Sequence, residues 1–240
     1  VYSAKCWFSV ACYVHSTYKE GSSSTFEHDD KKFSLEYGSG GISGFWSRDQ
    51  VQLGGLTASN FTMGEVTSAS GIAFIAGHMD GILGLGYQSI SVDNLPVFVN
   101  AADTDDRSFS FFLGDTTEES VLVIPGTDES LYTGDLVYHD VIEQKYWSLN
   151  LTSIKVNGTQ IPDVAEYKGV IDSGTSLIVG SNKIIDPILA QIGDIDQTCV
   201  DNTGLPDVTF TFDDVEYTLT SADYIVKVTA LGQTACVLGI

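Results

Sequence analysis

Residues 169–180 read Gly-Val-Ile-Asp-Ser-Gly-Thr-Ser-Leu-Ile-Val-Gly, and no other stretch limits the possible folds as much. Val170 and Ile171 are β-formers that run straight into Asp172. A Ser-Gly-Thr-Ser turn follows, and Leu177, Ile178 and Val179 resume the apolar run. The pattern predicts a carboxylate presented on a tight loop between two buried strands. Gly174 permits a sharp turn, and the hydroxyls of Ser173, Thr175 and Ser176 can reach neighbouring backbone or the carboxylate itself. A bare Asp-Ser-Gly is usually an Asx-turn at a strand end, but apolar flanks on both sides do not suit a solvated turn.

With 240 residues, 43% of them apolar, the chain can bury one large core or two modest ones. No run of about 18 apolar residues is present, so it reads as globular rather than membrane-spanning. The first six residues lack a basic-then-apolar leader pattern, as expected of a mature or a truncated chain. A net charge of -21, from 32 acidic against 11 basic side chains, argues against nucleic-acid and anionic-membrane partners, which such a surface repels. The same acidity suits a compartment at about pH 4 to 5, where protonation relieves the self-repulsion.

Four cysteines fall as Cys6 and Cys12, then Cys199 and Cys236; the wide gap favours local pairing among the three possible connectivities and rules out a zinc ribbon. Sequons at Asn60, Asn150 and Asn157 make these three asparagines glycosylation candidates and, with the cysteines, point to the secretory route.

Along the chain, residues 31–37 alternate as a strand does, and Tyr37-Gly38-Ser39-Gly40-Gly41-Ile42-Ser43-Gly44-Phe45 reads as a glycine-rich hairpin tip. It fails as a phosphate loop, because no Lys-Ser/Thr follows and Ser43 stands where a third glycine is needed. Residues 51–63 and 66–75 are expected strands broken at Gly54-Gly55, Gly64 and Gly71, and Asp80-Gly81-Ile82-Leu83-Gly84-Leu85-Gly86 a compact apolar turn. A short helix is expected over 95–100, and strands over 109–113 and 121–124. Alternation from Trp147 to Leu151 places Trp147 and Leu149 on one face, towards the core. Residues 183–192 have helical apolar spacing, capped by Ser181 or Asn182 and stopped by Gly193, with Pro187 a blemish in the interior. Val208, Phe210 and Phe212 alternate towards a hairpin turn at Asp213-Asp214.

The inventory narrows the chemistry. His15, His28, His78 and His139 lack metal-ligand spacing and read as surface or packing residues, and no Gly-x-Ser-x-Gly elbow or Cys-His signature occurs. No metal or cofactor is expected. A carboxylate remains.

The Asp172 loop, Tyr37-Gly38-Ser39-Gly40, residues 80–86, the Tyr146-Trp147 pair and the two cysteine pairs stand in the order seen in the pepsin-like aspartic peptidases. The chain resembles that family over its whole length, and most closely its cathepsin D and plant vacuolar branch. The resemblance implies an all-β, bilobal fold with a few short helices, an N-terminal lobe over 1–136 carrying the flap, and a C-terminal lobe over 137–240 carrying the Asp-Ser-Gly loop. It implies that Asp172 is one of two catalytic carboxylates, with Gly174, Thr175 and Ser176 beside it. It makes Tyr37 the flap tyrosine, has Gly38 and Ser39 offer backbone N–H groups to a peptide, and has Tyr146 line the cleft. Ile82 counts among the substrate-site residues, with Ile82-Leu83-Gly84 packed beneath the first lobe's catalytic loop, and the Cys6–Cys12 loop lies beside the cleft.

Two carboxylates a hydrogen bond apart cannot both ionise; they share a proton, and one activates a water while the other polarises the scissile carbonyl. Only one Asp-Ser/Thr-Gly occurs in these residues. By resemblance its mate belongs just before Val1, and a further apolar-apolar-Gly strand belongs beyond Cys236. The expected fold is therefore incomplete at both ends, and the segment between Pro96 and Phe109 is short for the family. The expectation is an acid endopeptidase of the lysosome, vacuole or secreted space. Its partners would be peptide or protein substrates cut between bulky apolar residues, peptidic transition-state-type inhibitors, and the missing segments as separate chains; the 240 residues alone would be inactive. The alternative is a catalytically inactive pepsin-fold protein that binds peptides or another protein.

Overall fold

Long runs of β-forming residues punctuated by paired glycines or aspartates give a strand-dominated molecule. The computed structural model describes residues 1–114, 120–230 and 232–240. They divide into two units, Val1–Asp135 and Leu136–Ile240.

The first unit is built on three antiparallel strands, β1 (Glu27–Tyr37), β2 (Gly40–Leu53) and β3 (Leu56–Ala69), with β2 in the centre. A second, two-stranded sheet pairs β4 (Ser110–Phe112) with β5 (Val121–Val123). Three short helices complete it: α1 (Ala11–Val14), α2 (Ile72–Ala76) and α3 (Phe98–Ala101). Gly54 and Gly55 both have positive φ and turn β2 into β3, as their sequence suggests. Gly64 does not break the strand as expected. A Cβ there would stand 2.7 Å from the Phe33 ring, so its role is to admit Phe33 and Trp46, stacked at 4.4 Å, against the sheet. The strand expected over 66–75 ends at Ala69, because Gly71 takes φ 104° and the apolar residues after it coil into α2. The helix expected over 95–100 forms over Phe98–Ala101 instead; Leu95, before Pro96, is held extended. Two apolar cores result, one around Tyr2, Phe33, Trp46, Val66 and Phe74, the other around Ala58, Phe98, Val99 and Ile124.

Strands of the second unit are β6 (Glu143–Gln144), β7 (Trp147–Val156), β8 (Thr159–Gln160), β9 (Lys168–Val170), β10 (Val208–Phe212) and β11 (Val215–Leu219), followed by the hairpin of β12 (Ile225–Ala230) and β13 (Gln233–Leu238). The main sheet runs β11-β10-β7-β6, with β8 and β9 also paired to β7. The first half of β7 pairs with β6 and β9, its second half with β10 and β8. A bulge at Thr152 separates the halves: Leu151 pairs with Phe212 and Ser153 with Thr211. The Thr152 hydroxyl folds back to donate to the carbonyls of Thr211 (3.1 Å) and Asp213 (2.7 Å). The expected alternation therefore fails part-way. Trp147 and Leu149 are half-buried, while Ser148, Leu151, Ile154 and Val156 face inward.

The expected helix is α4 (Asn182–Ile192), whose buried Ile184, Ile188 and Ile192 pack with Leu151, Ile154, Val156, Ile161 and Val208. Ser181 holds the N-cap position but its hydroxyl donates to the Tyr167 phenol (3.1 Å) rather than capping the helix, and Pro187 sits mid-helix with no N–H to give. Gly193 stops it at φ 78°. The turn at Asp213-Asp214 forms as read, Asp213 taking φ 52°. A last short helix, α5 (Ser221–Tyr224), follows β11, with Thr220 and Asp223 forming a capping box. Disulfides join Cys6 to Cys12 and Cys199 to Cys236.

Candidate functional site

Asp172 lies just past β9. Ile171 donates its N–H to the Trp147 carbonyl (3.0 Å), which carries the sheet one residue beyond the strand, and Ile178 donates to the Gly239 carbonyl (2.8 Å) on the way out. Between these anchors the chain turns. The Gly174 N–H donates to Asp172 Oδ1 at 2.9 Å and the Thr175 hydroxyl to Oδ2 at 2.5 Å, so each carboxylate oxygen has a donor from its own loop. A Cβ at Gly174 would stand 3.2 Å from Asp172 Oδ1, so glycine serves close approach here. The hydroxyls of Ser173 and Ser176 make no hydrogen bond among the described residues.

The sequence reading placed this carboxylate between two buried strands, and the second unit corrects it. Asp172, Gly174, Thr175 and Ser176 are exposed, as are Val170, Ile171 and Leu177, and Val179 is 77% exposed. One backbone anchor lies on β7 of the main sheet and the other just past β13, and among the described residues no layer of the second unit covers the apolar side chains beside the loop. Tyr146, 56% exposed, sits in the turn between β6 and β7, next to the Trp147 carbonyl that holds Ile171.

In the first unit, Gly38 and Ser39 form the exposed turn between β1 and β2, with Tyr37 paired to Gly40 at its root. The root is tied down by Ser70, whose N–H donates to the Gly41 carbonyl at 2.9 Å. At Gly40 (φ 143°) and Gly71 (φ 104°) a Cβ would come within 2.0 Å and 2.1 Å of a backbone carbonyl oxygen, so only glycine lets these two segments touch. Tyr37 packs its ring 5.8 Å from Phe74, and burial raises its phenol above the usual value.

Sequence reasoning passed over what holds Phe74. Its carbonyl accepts from the Tyr2 hydroxyl (3.1 Å) and from His15 Nε2 (2.9 Å), and the His15 ring stacks on Tyr2 at 4.9 Å. A carbonyl only accepts, so Nε2 carries a proton, and Nδ1 faces Asp80 Oδ1 at 3.6 Å. Asp80 also accepts from the Ser16 N–H (2.8 Å), which, with a weaker contribution from His15, lowers its carboxyl. His15 was read as a surface or packing residue because its partners lie about 60 positions away; its place straight after the cysteine loop was the only hint. His28 and His78 are exposed, as read. Residues 80–86 form the packed turn expected only in part: Ile82 is 52% exposed and Leu83 is exposed too, while the half-buried Leu85 packs against the core around Phe98. The three sequon asparagines are exposed, although Asn150 Nδ2 is engaged with Asp213 Oδ1 at 3.1 Å. Among the described residues no group of His, Cys, Asp or Glu is arranged to hold a metal ion, and no helix is long and apolar enough to cross a membrane.

Two strand-rich units, one with a glycine-tipped hairpin and one with a hydroxyl-clamped Asp-Ser-Gly loop, define a pepsin-like all-β class of protein. The chain belongs to the eukaryotic aspartyl proteases, whose family model matches residues 1–240. It is 37% identical over 234 residues to a probable vacuolar protease A of Trichophyton verrucosum, covering 92% of this chain and 58% of that protein. Cathepsin D of Chionodraco hamatus is 36% identical over 244 residues, covering 96% and 62%. Cathepsin D of Bos taurus is 34% identical over 253 residues, covering 96% and 65%. The chain thus spans about three fifths of the length of these relatives.

Proposed function

We propose that the protein is an aspartic endopeptidase in which Asp172 is one member of a proton-sharing carboxylate pair. The observation that carries this reading is the Asp172 loop: an open, hydroxyl-clamped carboxylate in a chain of the aspartyl protease family. Thr175 and the Gly174 N–H fix the carboxylate plane, so its free lone pairs point to a water rather than rotate. The second carboxylate comes from residues outside these 240, because Asp172 is the only aspartate here on an Asp-Ser/Thr-Gly loop. One carboxylate then takes the proton of a bound water as it attacks the peptide carbonyl, while the protonated partner donates to the carbonyl oxygen.

Tyr37, Gly38 and Ser39 act as the flap that lies along the peptide, and Ile82, Tyr146 and Ser176 contribute to the groove that selects bulky apolar residues. The two units take the roles of the family's two lobes. The names of the relatives, and disulfides stable only on an oxidising route, support a vacuolar or lysosomal setting, with Asn60 and Asn157 the sequons open to glycans.

The test is D172N in the parent protein. Asp172 is exposed, so the substitution should leave stability within about 0.5 kcal/mol yet lower cleavage of a denatured protein at acid pH by roughly a thousandfold or more. A statine-type inhibitor should block the unsubstituted protein, and the 240 residues alone should not cleave. Retained cleavage in D172N removes Asp172 from the chemistry. A parent protein that binds the inhibitor but never cleaves makes this a peptide-binding relative instead.

A further inference from the structure

Residues 136–142 open the second unit as an irregular segment whose Leu136, Val137, Tyr138 and Ile142 are exposed. His139 in its middle is the opposite, with 8% of its side chain exposed. Its Nδ1 lies 3.0 Å from Asp213 Oδ2 and its Nε2 lies 2.8 Å from the Tyr217 hydroxyl. Asp213 stands at the β10–β11 turn and Tyr217 on β11; the rings of Phe212 and Tyr217 meet the imidazole edge-on at 6.2 Å and 5.8 Å. On the far side, Asn150 of β7 donates to Asp213 Oδ1 at 3.1 Å, and its carbonyl accepts the Asp213 N–H at 3.0 Å. Both imidazole nitrogens and both carboxylate oxygens are therefore engaged.

The chemistry of the partners sets how this behaves. An ionised carboxylate only accepts, so a neutral His139 carries its proton on Nδ1, and Nε2 accepts from the Tyr217 hydroxyl. Adding a proton to Nε2 turns it into a donor. A phenol both donates and accepts, so it reverses its role and the contact survives. We propose that His139 is a clasp that holds residues 136–142 on the β10–β11 hairpin, keeps both bonds in either protonation state of the imidazole, and opens only when Asp213 is protonated. The titratable groups facing the imidazole are Asp213 from the turn and Tyr217 from β11; β7 contributes the neutral Asn150, and the neighbouring Asp140 on its own segment is exposed. The hydrogen bond from His139, and then that from Asn150, hold the Asp213 carboxyl below its usual value of 3.8. A lowered folded value means that the stabilisation is present above the unfolded one and lost as pH falls through the folded one. The clasp thus stays shut through the mildly acid range.

Backbone ¹⁵N relaxation of the full chain tests this independently of any peptidase activity. Amides 137–141 should keep rigid-backbone order parameters of about 0.85 from about pH 7.5 down to about pH 4.5, and lose order only at pH below the 3.8 of an ordinary aspartate. In H139A at pH 5 they should drop below about 0.6, with β7 and α4 unchanged. If H139A does not fold, Y217F should give the same local loosening, and ¹⁵N shifts of the neutral imidazole in the unsubstituted chain should report the Nδ1–H tautomer. Order lost between about pH 6 and 7, unchanged order in H139A or in Y217F, or an Nε2–H tautomer overturns the proposal.

Discussion

Asp49 is buried in the first unit with no cation paired to it among the described residues, and four donors replace one: the hydroxyls of Tyr18 (2.5 Å), Ser23 (2.9 Å) and Thr25, and the Gln50 N–H (2.7 Å). Burial alone would raise this carboxyl; the hydrogen bonds, that from Thr25 largest, bring it down to about 2. The folded value lies below the ordinary 3.8, so the stabilisation is full at pH 5 and fades as pH falls through about 2. D49N should therefore lower stability at pH 5 by about 2 kcal/mol, and the gap between the two proteins should close near pH 2, as urea melts at both pH values will report. Such a cluster was not legible in the sequence, because Asp49 sits in an ordinary-looking Ser-Arg-Asp-Gln run and its donors come from residues 18–25. Asp172 was legible because its donors are two and three positions on. The burial of its flanks was misread, since apolar residues state a preference for cover and not whether the rest of the unit supplies it.

Turns and hairpins, where two adjacent residues dictate backbone geometry, came through well at the scale of elements: Gly54-Gly55, the tip at Gly38-Ser39 and Asp213-Asp214 all lie where the residues put them. Short helices did not. α1 and α5 have four residues each and α2 five, too few to show a helical period, and they exist because tertiary contacts bury Ala11 and Cys12 of α1, Phe74 of α2 and Tyr224 of α5. Glycines also differ in ways no composition reveals. A Cβ on Gly44 would fall 1.9 Å from the Glu65 carbonyl oxygen on β3, whereas Gly38 has open space around it. G44A should part β2 from β3 and destabilise the chain by about 3 kcal/mol or more, while G38A should change stability by under about 0.5 kcal/mol. Thermal melts of the two variants side by side check the contrast.

For the molecule as a whole, the two disulfides differ in reach: Cys6–Cys12 spans 6 positions and Cys199–Cys236 spans 37. Loop-closure entropy makes the long bridge worth ~4 kcal/mol and the short one ~2 kcal/mol. Replacing Cys199 and Cys236 together by alanine should lower the denaturation midpoint more than replacing Cys6 and Cys12, a comparison that calorimetry can make directly. The division near residue 136 was implied by the resemblance to the family, and the two units part between Asp135 and Leu136; the acid-leaning charge of -21 was readable from composition alone. What no count of residues could tell was the extra residue in β7. Because the bulge at Thr152 inverts the strand half-way, Leu151 and Ile154 both point inward although three positions, an odd number, separate them. Deleting one residue between 151 and 153 would force a choice: either the α4-facing side chains stay seated and the loop bearing Asp172 is flipped over, or the loop keeps its aim and the core turns inside out. The count of residues in β7 thus ties the seating of the α4-facing core to the direction in which the Asp172 carboxylate looks.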